Sequence, residues 1–325
     1  MTKILISLVG HQPLPTLMAM RYLQPDKVIL LSSNDPQVIT LRNHLARSGK
    51  EISLLPVETD QLARTIEIIE PTPVDPWNIL SITKRLSHVL RRETNAQLIC
   101  DVTGGTKAMS IGLTQVARER DAEIVYIDSD TLDTRMWRYC FVEGQLGMNH
   151  DDPEQIPPLV TIQDLFYLYL GHESLQYKPN TQESQGSWFE RDVRAGFQSL
   201  VDDIEQSVLV VTSGKEEADL VLRKKNRFAI VECKSLKKFN MKGIHQLNNI
   251  ASERYLGTYT GKILAVNLSE PESLTSEDMK IANQHNIAIL PLNSWNGTEE
   301  RKHSWTDSEL ISFQKVVDQV FGKDN

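Results

Sequence analysis

The sequence predicts an α/β protein built from two domains. A chain of 325 residues is long enough for two hydrophobic cores, and 40% apolar with 24% charged residues is an ordinary globular composition. Strand and helix patterns alternate over residues 1–142. In the second half, strand patterns cluster early and helix patterns lie on either side of them. Both arrangements are typical of layered α/β or α+β folds.

The first half contains apolar, β-rich runs that we interpret as strands. They cover residues 3–10, 27–33, 51–57, 96–101, 123–128 and 135–141. Helices are expected between them. Pro13 and Pro15 open a helical stretch, Asn34 is the candidate cap of the next helix, and helix patterns cover residues 75–94 and 107–121. Such alternation predicts a mostly parallel sheet with helices on both faces.

The composition changes between the two halves. Residues 143–160 carry the turn-forming residues of a linker, and a short helix near residues 161–171 precedes a polar stretch. We therefore expect one domain at residues 1–145, a linker with a short helix at 146–186, and a second domain at 187–325. In the second domain helices are expected at 188–203, 242–256, 274–284 and 306–321, and strands within 207–234 and at 262–268 and 286–290.

Charge and cysteine content restrict the class of protein. A formal net charge of −8 argues against a general basic coat for nucleic acid, although it permits a local basic patch. Cys100, Cys140 and Cys233 lack CxxC spacing, which fits reduced thiols in a cytoplasmic protein. No apolar run approaches the ~20 residues of a membrane-spanning helix, so we expect no membrane association.

The most informative segment of the second half is a predicted β-hairpin. Two apolar runs flank a short polar turn at Lys225 and Asn226. If the turn is centred there, residues pair when their numbers sum to about 451, which places Asp219 opposite Glu232 with Cβ atoms ~5 Å apart. Lys234 shares a strand face with Glu232, because side chains two residues apart point the same way. The register is an assumption, since a slip of one residue would break the pairing.

Two opposed carboxylates predict a metal site. Their repulsion is costly unless a cation offsets it, and Mg²⁺ or Mn²⁺ prefers carboxylate oxygens. Such a metal could activate a water for attack on a phosphoryl group, with Lys234 positioning that water or stabilising the developing charge. Glu190, on the preceding predicted helix, would complete the outer shell. The alternative is a charged hairpin at a solvated sheet edge.

This spacing resembles the PD-(D/E)xK restriction-endonuclease-like superfamily, where a helix glutamate, a strand aspartate and a (D/E)xK strand form the active site. The resemblance implies catalytic roles for Glu190, Asp219, Glu232 and Lys234, with the three acidic residues as metal ligands. The residue before Asp219 is Ala218, where the motif has proline.

Other polar residues are expected around this site. Gln246, on the next helix, stands where some superfamily members place a supporting polar residue. Five lysines are expected to form a basic cluster for phosphate-backbone contact, or else a solubilising turn. They are Lys224, Lys225, Lys237, Lys238 and Lys242.

In the first half, a glycine-containing loop joins a predicted strand to a predicted helix. Residues 101–107 read Asp-Val-Thr-Gly-Gly-Thr-Lys. Ligands of parallel sheets bind at the carboxyl ends of strands, glycines permit a close approach, and a helix N-terminus with Lys107 favours phosphate. The loop is neither a P-loop nor a GxGxxG dinucleotide fingerprint. The alternative is a tight turn without a ligand.

Two further loops are expected at the same edge of the sheet. Residues 9–16 follow the first strand with the pattern Gly-x-Gln-Pro-x-Pro, and Ser32-Ser33 ends the second. This combination is similar to the CARF domains, the Rossmann-like sensors of CRISPR systems, over residues 1–142. The candidate activator-binding residues are Gly10, Gln12, Pro15, Thr16, Ser32, Ser33, Thr103, Gly104, Gly105, Thr106 and Lys107.

Together the two resemblances cover nearly the whole chain and point to the CARF-fused nucleases of type III CRISPR systems, of the Card and Can type. They imply a homodimer that binds cyclic tetra-adenylate or another cyclic oligoadenylate. They also imply a metal-dependent endonuclease that cleaves DNA or RNA in antiviral defence. The alternatives are a nucleotide-sensing protein whose second domain binds without cleaving, a CARF transcriptional regulator with a helix-turn-helix, and a sensor that also degrades its activator. Trp77, Trp137 and Trp188 are expected in the core or at interfaces rather than as base-stacking platforms.

Overall fold

The computed structural model describes residues 1–51, 66–69, 73–93, 95–129, 131–149, 151–171, 175–178, 184–210, 216–251, 256 and 260–323. The chain divides into two compact units, Met1–Val160 and Thr161–Asn325. Across the described ranges, no helix is long and apolar enough to cross a membrane.

The first unit is built on a mixed sheet whose first five strands run parallel. The strands are β1 (Thr2–Val9), β2 (Lys27–Ser32), β3 (Glu67–Ile69), β4 (Ala96–Asp101), β5 (Glu123–Asp128), β6 (Arg135–Val142), β7 (Gln145–Met148) and β8 (Glu154–Gln155). Their order is β3-β2-β1-β4-β5-β6-β7, and β8 pairs with β6. From β6 onwards the pairing is antiparallel. Strands β7 and β8 occupy part of the stretch expected to be linker.

Four helices connect the parallel strands in the described part of this unit. They are α1 (Leu14–Leu23), α2 (Pro36–Glu51), α3 (Ile79–Val89) and α4 (Lys107–Glu119), and a 3-10 turn, Leu90–Arg92, extends α3. The predicted cap of α2, Asn34, is wrong. The Asp35 carboxylate accepts the amide hydrogens of Gln37 at 2.8 Å and Val38 at 3.2 Å instead.

The strand predicted at residues 51–57 lies outside the described residues, apart from Glu51, which ends α2.

The strand order of the first unit reverses beside β1. The chain moves from β1 to β2 and β3 on one side, and then returns to β4 and β5 on the other side of β1. In open α/β sheets, ligands bind in the crevice at such a reversal, at the carboxyl ends of the strands. The loops that follow β1 and β4 meet at this crevice.

The second unit is a five-stranded sheet flanked by helices, counted over its described residues. Its strands are β9 (Asp203–Leu209), β10 (Glu217–Lys224), β11 (Arg227–Leu236), β12 (Gly261–Leu268) and β13 (Ile287–Pro291), in the order β13-β12-β11-β10-β9. Its helices are α5 (Ile162–Leu170), α6 (Gln185–Phe197), α7 (Lys242–Ile250), α8 (Ser276–Gln284) and α9 (Asp307–Phe321). The strands from β9 to β11 are antiparallel, and those from β11 to β13 are parallel.

Candidate functional site

The hairpin of the second unit has the predicted register. Strands β10 and β11 pair from Leu220 with Val231 to Lys224 with Arg227, so that the paired numbers sum to 451. Asp219 and Glu232 are the next positions of the two strands in this register. Helix α6, which carries Glu190, packs on both strands. The structure therefore brings the predicted carboxylates to one end of the hairpin.

The carboxylates of the two strands are buried and only partly hydrogen-bonded. Asp219 is 9% exposed, and its Oδ2 accepts the amide hydrogen of Cys233 at 2.7 Å. Glu232 is 1% exposed, and its Oε1 forms an ion pair with the Lys234 ammonium. Its Oε2 is buried and has no hydrogen-bond partner within the described part of the chain. An unpartnered buried oxygen is unfavourable, so this atom is available to a ligand that the protein itself does not supply.

The acidic residues perturb one another. Burial, followed by repulsion from Asp219, raises the pKa of Glu190 to about 8. The same two causes raise the pKa of Glu232 to about 7. Burial raises the pKa of Asp219 to about 6, although the Lys234 ammonium opposes that rise. For Lys234, burial lowers the pKa, but attraction to Glu232 and Asp219 outweighs it and the pKa is raised. If all three carboxyls were ionised, their negative charge would exceed what Lys234 neutralises, so burial and this excess together raise their pKa values.

The chemistry of these donors fits a hard divalent cation. The donors are carboxylate oxygens, and one of them is buried without a partner in the described ranges of the chain. Nevertheless, over the described residues no three histidine, cysteine, aspartate or glutamate side chains converge on a single point at which they could hold a metal ion. In this arrangement Lys234, rather than a third carboxylate, contacts Glu232.

The sequence prediction missed two residues beside the cluster. Glu217 precedes Asp219 by two positions on β10, so both side chains lie on the same face of the strand. Its negative charge contributes to the raised pKa of Glu190. The Glu217 Oε2 accepts a hydrogen bond from the Lys178 ammonium at 2.6 Å. Lys178 reaches this position because its amide donates to the Ser207 carbonyl on edge strand β9, at 2.9 Å.

The basic cluster is predicted incorrectly in part. Lys224 and Lys225 lie at the turn of the hairpin, and Lys224 is five residues from Asp219 along β10. At ~3.3 Å per residue that separation is about 17 Å. Lys237 and Lys238 follow β11 and pair with Glu270 at 3.6 and 3.3 Å.

Two residues expected around the acidic cluster, Lys242 and Gln246, lie on α7. Lys242 begins α7 and is exposed. Gln246 also lies on this helix, which packs on β11, and its Oε1 is buried without a partner in the described region.

A pH-dependent stability follows for the metal-free protein. The folded pKa values of the cluster lie above the ordinary values of 3.8 to 4.5, so between about pH 4 and about pH 8 the folded state binds more protons than the unfolded state. The contribution of the cluster to stability is therefore complete below about pH 4 and is lost as the pH rises to about 8. In EDTA, we expect Glu190→Gln to flatten the fall of the thermal midpoint between about pH 6 and about pH 8.

Glu277→Gln is the matched control for this measurement, because Glu277 is exposed on α8 and has a 71% exposed side chain. The control is expected to follow the wild-type pH profile. Parallel profiles for wild type and Glu190→Gln would show that the Glu190 carboxyl does not titrate as the geometry requires.

In the first unit, Gly10 and Gly104 allow two loops to pack closely against each other. A Cβ at Gly104 would lie 2.1 Å from the carbonyl oxygen of Leu8 and 3.5 Å from the amide nitrogen of Gly10. A Cβ at Gly10 would lie 2.9 Å from the amide nitrogen of Gly105. The loops after β1 and β4 therefore pack backbone against backbone. Gly105 itself has a φ of +75°, which glycine adopts without strain.

The two threonines of the loop after β4 hold it in place. The Thr106 hydroxyl caps α4 by accepting the Met109 amide hydrogen at 3.2 Å, and it donates to the carbonyl of Pro76. The Thr103 hydroxyl accepts the amide hydrogen of Ile127 on β5 at 2.8 Å. Asp101, buried at the end of β4, accepts hydrogen bonds from the Ser7 hydroxyl and the Thr103 amide, and burial raises its pKa. Hydrogen bonds to neighbouring elements therefore hold the loop at both of its threonines.

The predicted activator-binding residues differ in their accessibility. The Thr16 and Ser32 side chains are buried, with the Thr16 hydroxyl bonded to Ser7 and the Ser32 hydroxyl accepting from Arg42. Gly105 and Lys107 are exposed. The remaining candidates are partly exposed: Gly10, Gln12, Pro15, Ser33, Thr103, Gly104 and Thr106.

These features define a two-unit α/β protein, with a closely packed glycine-containing loop at a sheet reversal in one unit and a buried acidic cluster in the other. Residues 4–150 match the family model of the Card1 CARF domain. For the first unit, this match confirms the resemblance to CARF domains inferred from the sequence.

Solved structures share the fold over most of the chain. Can2 from Sulfobacillus thermosulfidooxidans, in complex with cyclic tetra-adenylate, is 18% identical with a TM-score of 0.67 and covers 88% of this chain and 95% of its own. The protein VC1899 from Vibrio cholerae is 11% identical with a TM-score of 0.65 and covers 98% of both chains. A type III CRISPR defence DNA nuclease activated by cyclic oligoadenylate is 15% identical with a TM-score of 0.57, and covers 97% of this chain and 52% of its own.

These comparisons confirm the predicted fold class, a CARF domain followed by a second α/β domain. No curated protein matches the chain in sequence.

Proposed function

We propose that this protein is a metal-dependent endonuclease of type III CRISPR antiviral defence that a cyclic oligoadenylate activates. One observation carries the proposal: a buried, mutually repelling acidic cluster with a lysine partner lies in a chain whose other unit is a CARF domain. Structures with the same fold include Can2 bound to cyclic tetra-adenylate and a DNA nuclease activated by cyclic oligoadenylate, which supports the proposal.

Each residue of the acidic cluster has a proposed role. Asp219, Glu232 and Glu190 hold Mg²⁺ or Mn²⁺, and the second unit is a restriction-endonuclease-like domain of the PD-(D/E)xK type. When bound, the cation supplies Lewis acidity toward the phosphate and a more acidic water. The unpartnered Oε2 of Glu232 is the oxygen most in need of a cation. Lys234, already adjacent to Glu232, positions the water or stabilises negative charge on the phosphate.

The activator is proposed to bind at the carboxyl edge of β1 and β4. The exposed Lys107 and the first turn of α4 face the phosphates, because both favour anions. Gly10, Gln12, Pro15, Ser33 and Thr103 to Thr106 line the crevice. The buried Thr16 and Ser32 hold the loops from behind. Cyclic tetra-adenylate is the proposed activator, and other ring sizes are alternatives.

Several further properties belong to the same proposal. The protein acts as a cytoplasmic homodimer, with the ring across the two-fold axis between CARF domains. The substrate is DNA or RNA. The proposed domain limits are 1–145 for the sensor, 146–186 for the linker and 187–325 for the nuclease.

One cleavage panel tests the function. Single- and double-stranded DNA and RNA are incubated with the protein, with and without each cyclic oligoadenylate, in Mn²⁺ or in EDTA. We expect cleavage of at least one substrate only when both an activator and Mn²⁺ are present, because the acidic cluster needs a cation and the CARF domain a ligand. Cleavage that persists in EDTA would contradict the metal site, and cleavage that no cyclic oligoadenylate increases would contradict the activation.

A further inference from the structure

Trp77 is exposed to an extent that is unusual for tryptophan. The residue is 78% exposed, whereas the sequence predicts a position in the core or at an interface. The expectation of a core position is wrong. A large apolar ring kept in water calls for an explanation, because burying it would otherwise stabilise the fold.

The segment that carries Trp77 is fixed between two of the candidate activator-binding loops. On one side, the amide of Val74 donates to the carbonyl of Ser32, at the end of β2, at 3.0 Å. On the other side, the carbonyl of Pro76 accepts the hydroxyl hydrogen of Thr106. Trp77 therefore follows directly after a residue bonded to the Gly-Gly-Thr-Lys loop, and it lies at the same edge of the sheet.

The turn around Trp77 is rigid. The Asp75 carboxylate accepts the Trp77 amide hydrogen at 3.0 Å, and the Asn78 side chain caps α3 by accepting from the Ser81 amide at 3.1 Å. Both neighbours of the tryptophan are thus held by hydrogen bonds. A ligand that contacts the ring therefore meets little entropic cost from the backbone of this turn.

We propose that Trp77 is a stacking platform for a base of the bound activator. The inference rests on the proposed cyclic oligoadenylate site. It concerns the adenine bases of the ligand, which the phosphate-binding residues of that site do not contact. A cyclic oligoadenylate presents one adenine for each phosphate, and an adenine has a π-face that an indole ring can cover. Lys107 and the start of α4 offer a place for a phosphate, and Trp77, tethered to the same loop through Pro76 and Thr106, offers the adjoining aromatic surface.

The two parts of the site divide the recognition. Lys107 recognises charge, which every nucleotide carries. Trp77 recognises the presence of a base, so a ribose-phosphate ring without bases would lose this contact. Stacking of one base is worth about tenfold to a hundredfold in affinity.

The test measures binding of cyclic tetra-adenylate to full-length wild type, Trp77→Ala and Trp77→Phe by calorimetry. We expect Trp77→Ala to weaken binding at least about tenfold and Trp77→Phe to weaken it less, because phenylalanine keeps a π-face. Trp188→Phe, in the second unit, is the matched control with unchanged affinity. Because Trp77 is exposed, the thermal midpoint of Trp77→Ala should stay close to that of wild type.

Tryptophan fluorescence supplies the second readout. Stacking on adenine is expected to quench part of the wild-type emission on titration, and this part should be absent from Trp77→Phe while Trp188→Phe retains it. An affinity of Trp77→Ala within twofold of wild type, or an unchanged quench in Trp77→Phe, would overturn the inference and leave the proposed function standing. A change of oligomeric state in Trp77→Ala at equal affinity would likewise overturn it, in favour of a protein interface. If no cyclic oligoadenylate binds wild type, both the inference and the proposed activation fail.

Discussion

Replacing Glu232 by glutamine is expected to lower the rate of activated cleavage at least about a hundredfold, while the folded protein becomes no less stable in EDTA at about pH 8. The two effects have opposite signs because they arise from the same buried charge. The carboxylate is 1% exposed and its pKa is raised to about 7. A group held ionised in that environment destabilises the metal-free fold.

The loss of activity follows from the geometry of this side chain. One oxygen of Glu232 pairs with Lys234, and the other is buried without a partner among the residues that the structure describes. Glutamine has nearly the same shape but no charge, so it neither attracts a divalent cation nor holds the lysine ammonium beside it by ion pairing. Both contributions to the proposed hydrolysis are therefore removed together.

The measurement compares initial cleavage rates at saturating activator and Mn²⁺, with thermal midpoints in EDTA measured on the same preparations. Glu277→Gln, at an exposed position of α8, is the control that should match wild type in both. Activator affinity should be unchanged in Glu232→Gln, since the variant lies outside the CARF domain. A Glu232→Gln protein that cuts at the wild-type rate would refute the nuclease proposal, whereas a large drop in its midpoint would refute the account of the buried charge.

Local patterns were sufficient to predict most of the acidic site. The hairpin register depends only on the turn at Lys225 and Asn226, and strand pairing then fixes every other pair. That is why the positions of Asp219 and Glu232 followed from arithmetic. Glu217 was within reach of the same argument, because residues two apart on one strand share a face.

Other parts of the site depended on information that a single sequence does not contain. Lys178 is separated from Glu217 by 39 positions, and their contact depends on the backbone hydrogen bond of Lys178 to edge strand β9. The basic cluster failed for the opposite reason. Lys224 and Lys225 are near Asp219 in sequence, but an extended strand carries them away from it, toward the turn.

The glycines of the first unit show how a correct motif can have a different physical basis. From the sequence, Gly104 and Gly105 are expected to permit the close approach of a ligand. The structure shows that the space a Cβ would need at Gly104 is taken by the Leu8 carbonyl, at 2.1 Å. Close packing of the two loops builds the crevice, whereas Gly105 and Lys107 of the same loop are exposed.

Replacing Lys107 by alanine is therefore expected to weaken cyclic tetra-adenylate binding by about tenfold to a hundredfold, as for the loss of one charge-assisted contact to phosphate. Lys107 is the first residue of α4, exposed next to the helix cap, where its charge adds to that of the helix N-terminus. Cleavage at saturating activator should return toward the wild-type rate, because the acidic cluster is unchanged. The activator concentration that gives half-maximal cleavage should therefore rise in Lys107→Ala.

Salt dependence distinguishes a phosphate contact from a folding defect. If Lys107 neutralises one activator phosphate, the slope of log affinity against log salt should become shallower in Lys107→Ala by about one. Lys84→Ala, an exposed lysine of α3 in the same unit, should change neither affinity nor slope. Weaker binding with an unchanged slope would mean that the lysine acts on the shape of the loop and not on the phosphate. Equal affinity in Lys107→Ala and wild type would contradict the proposed position of the activator at the loop after β4, because a phosphate at that helix N-terminus should bind more weakly without the Lys107 charge.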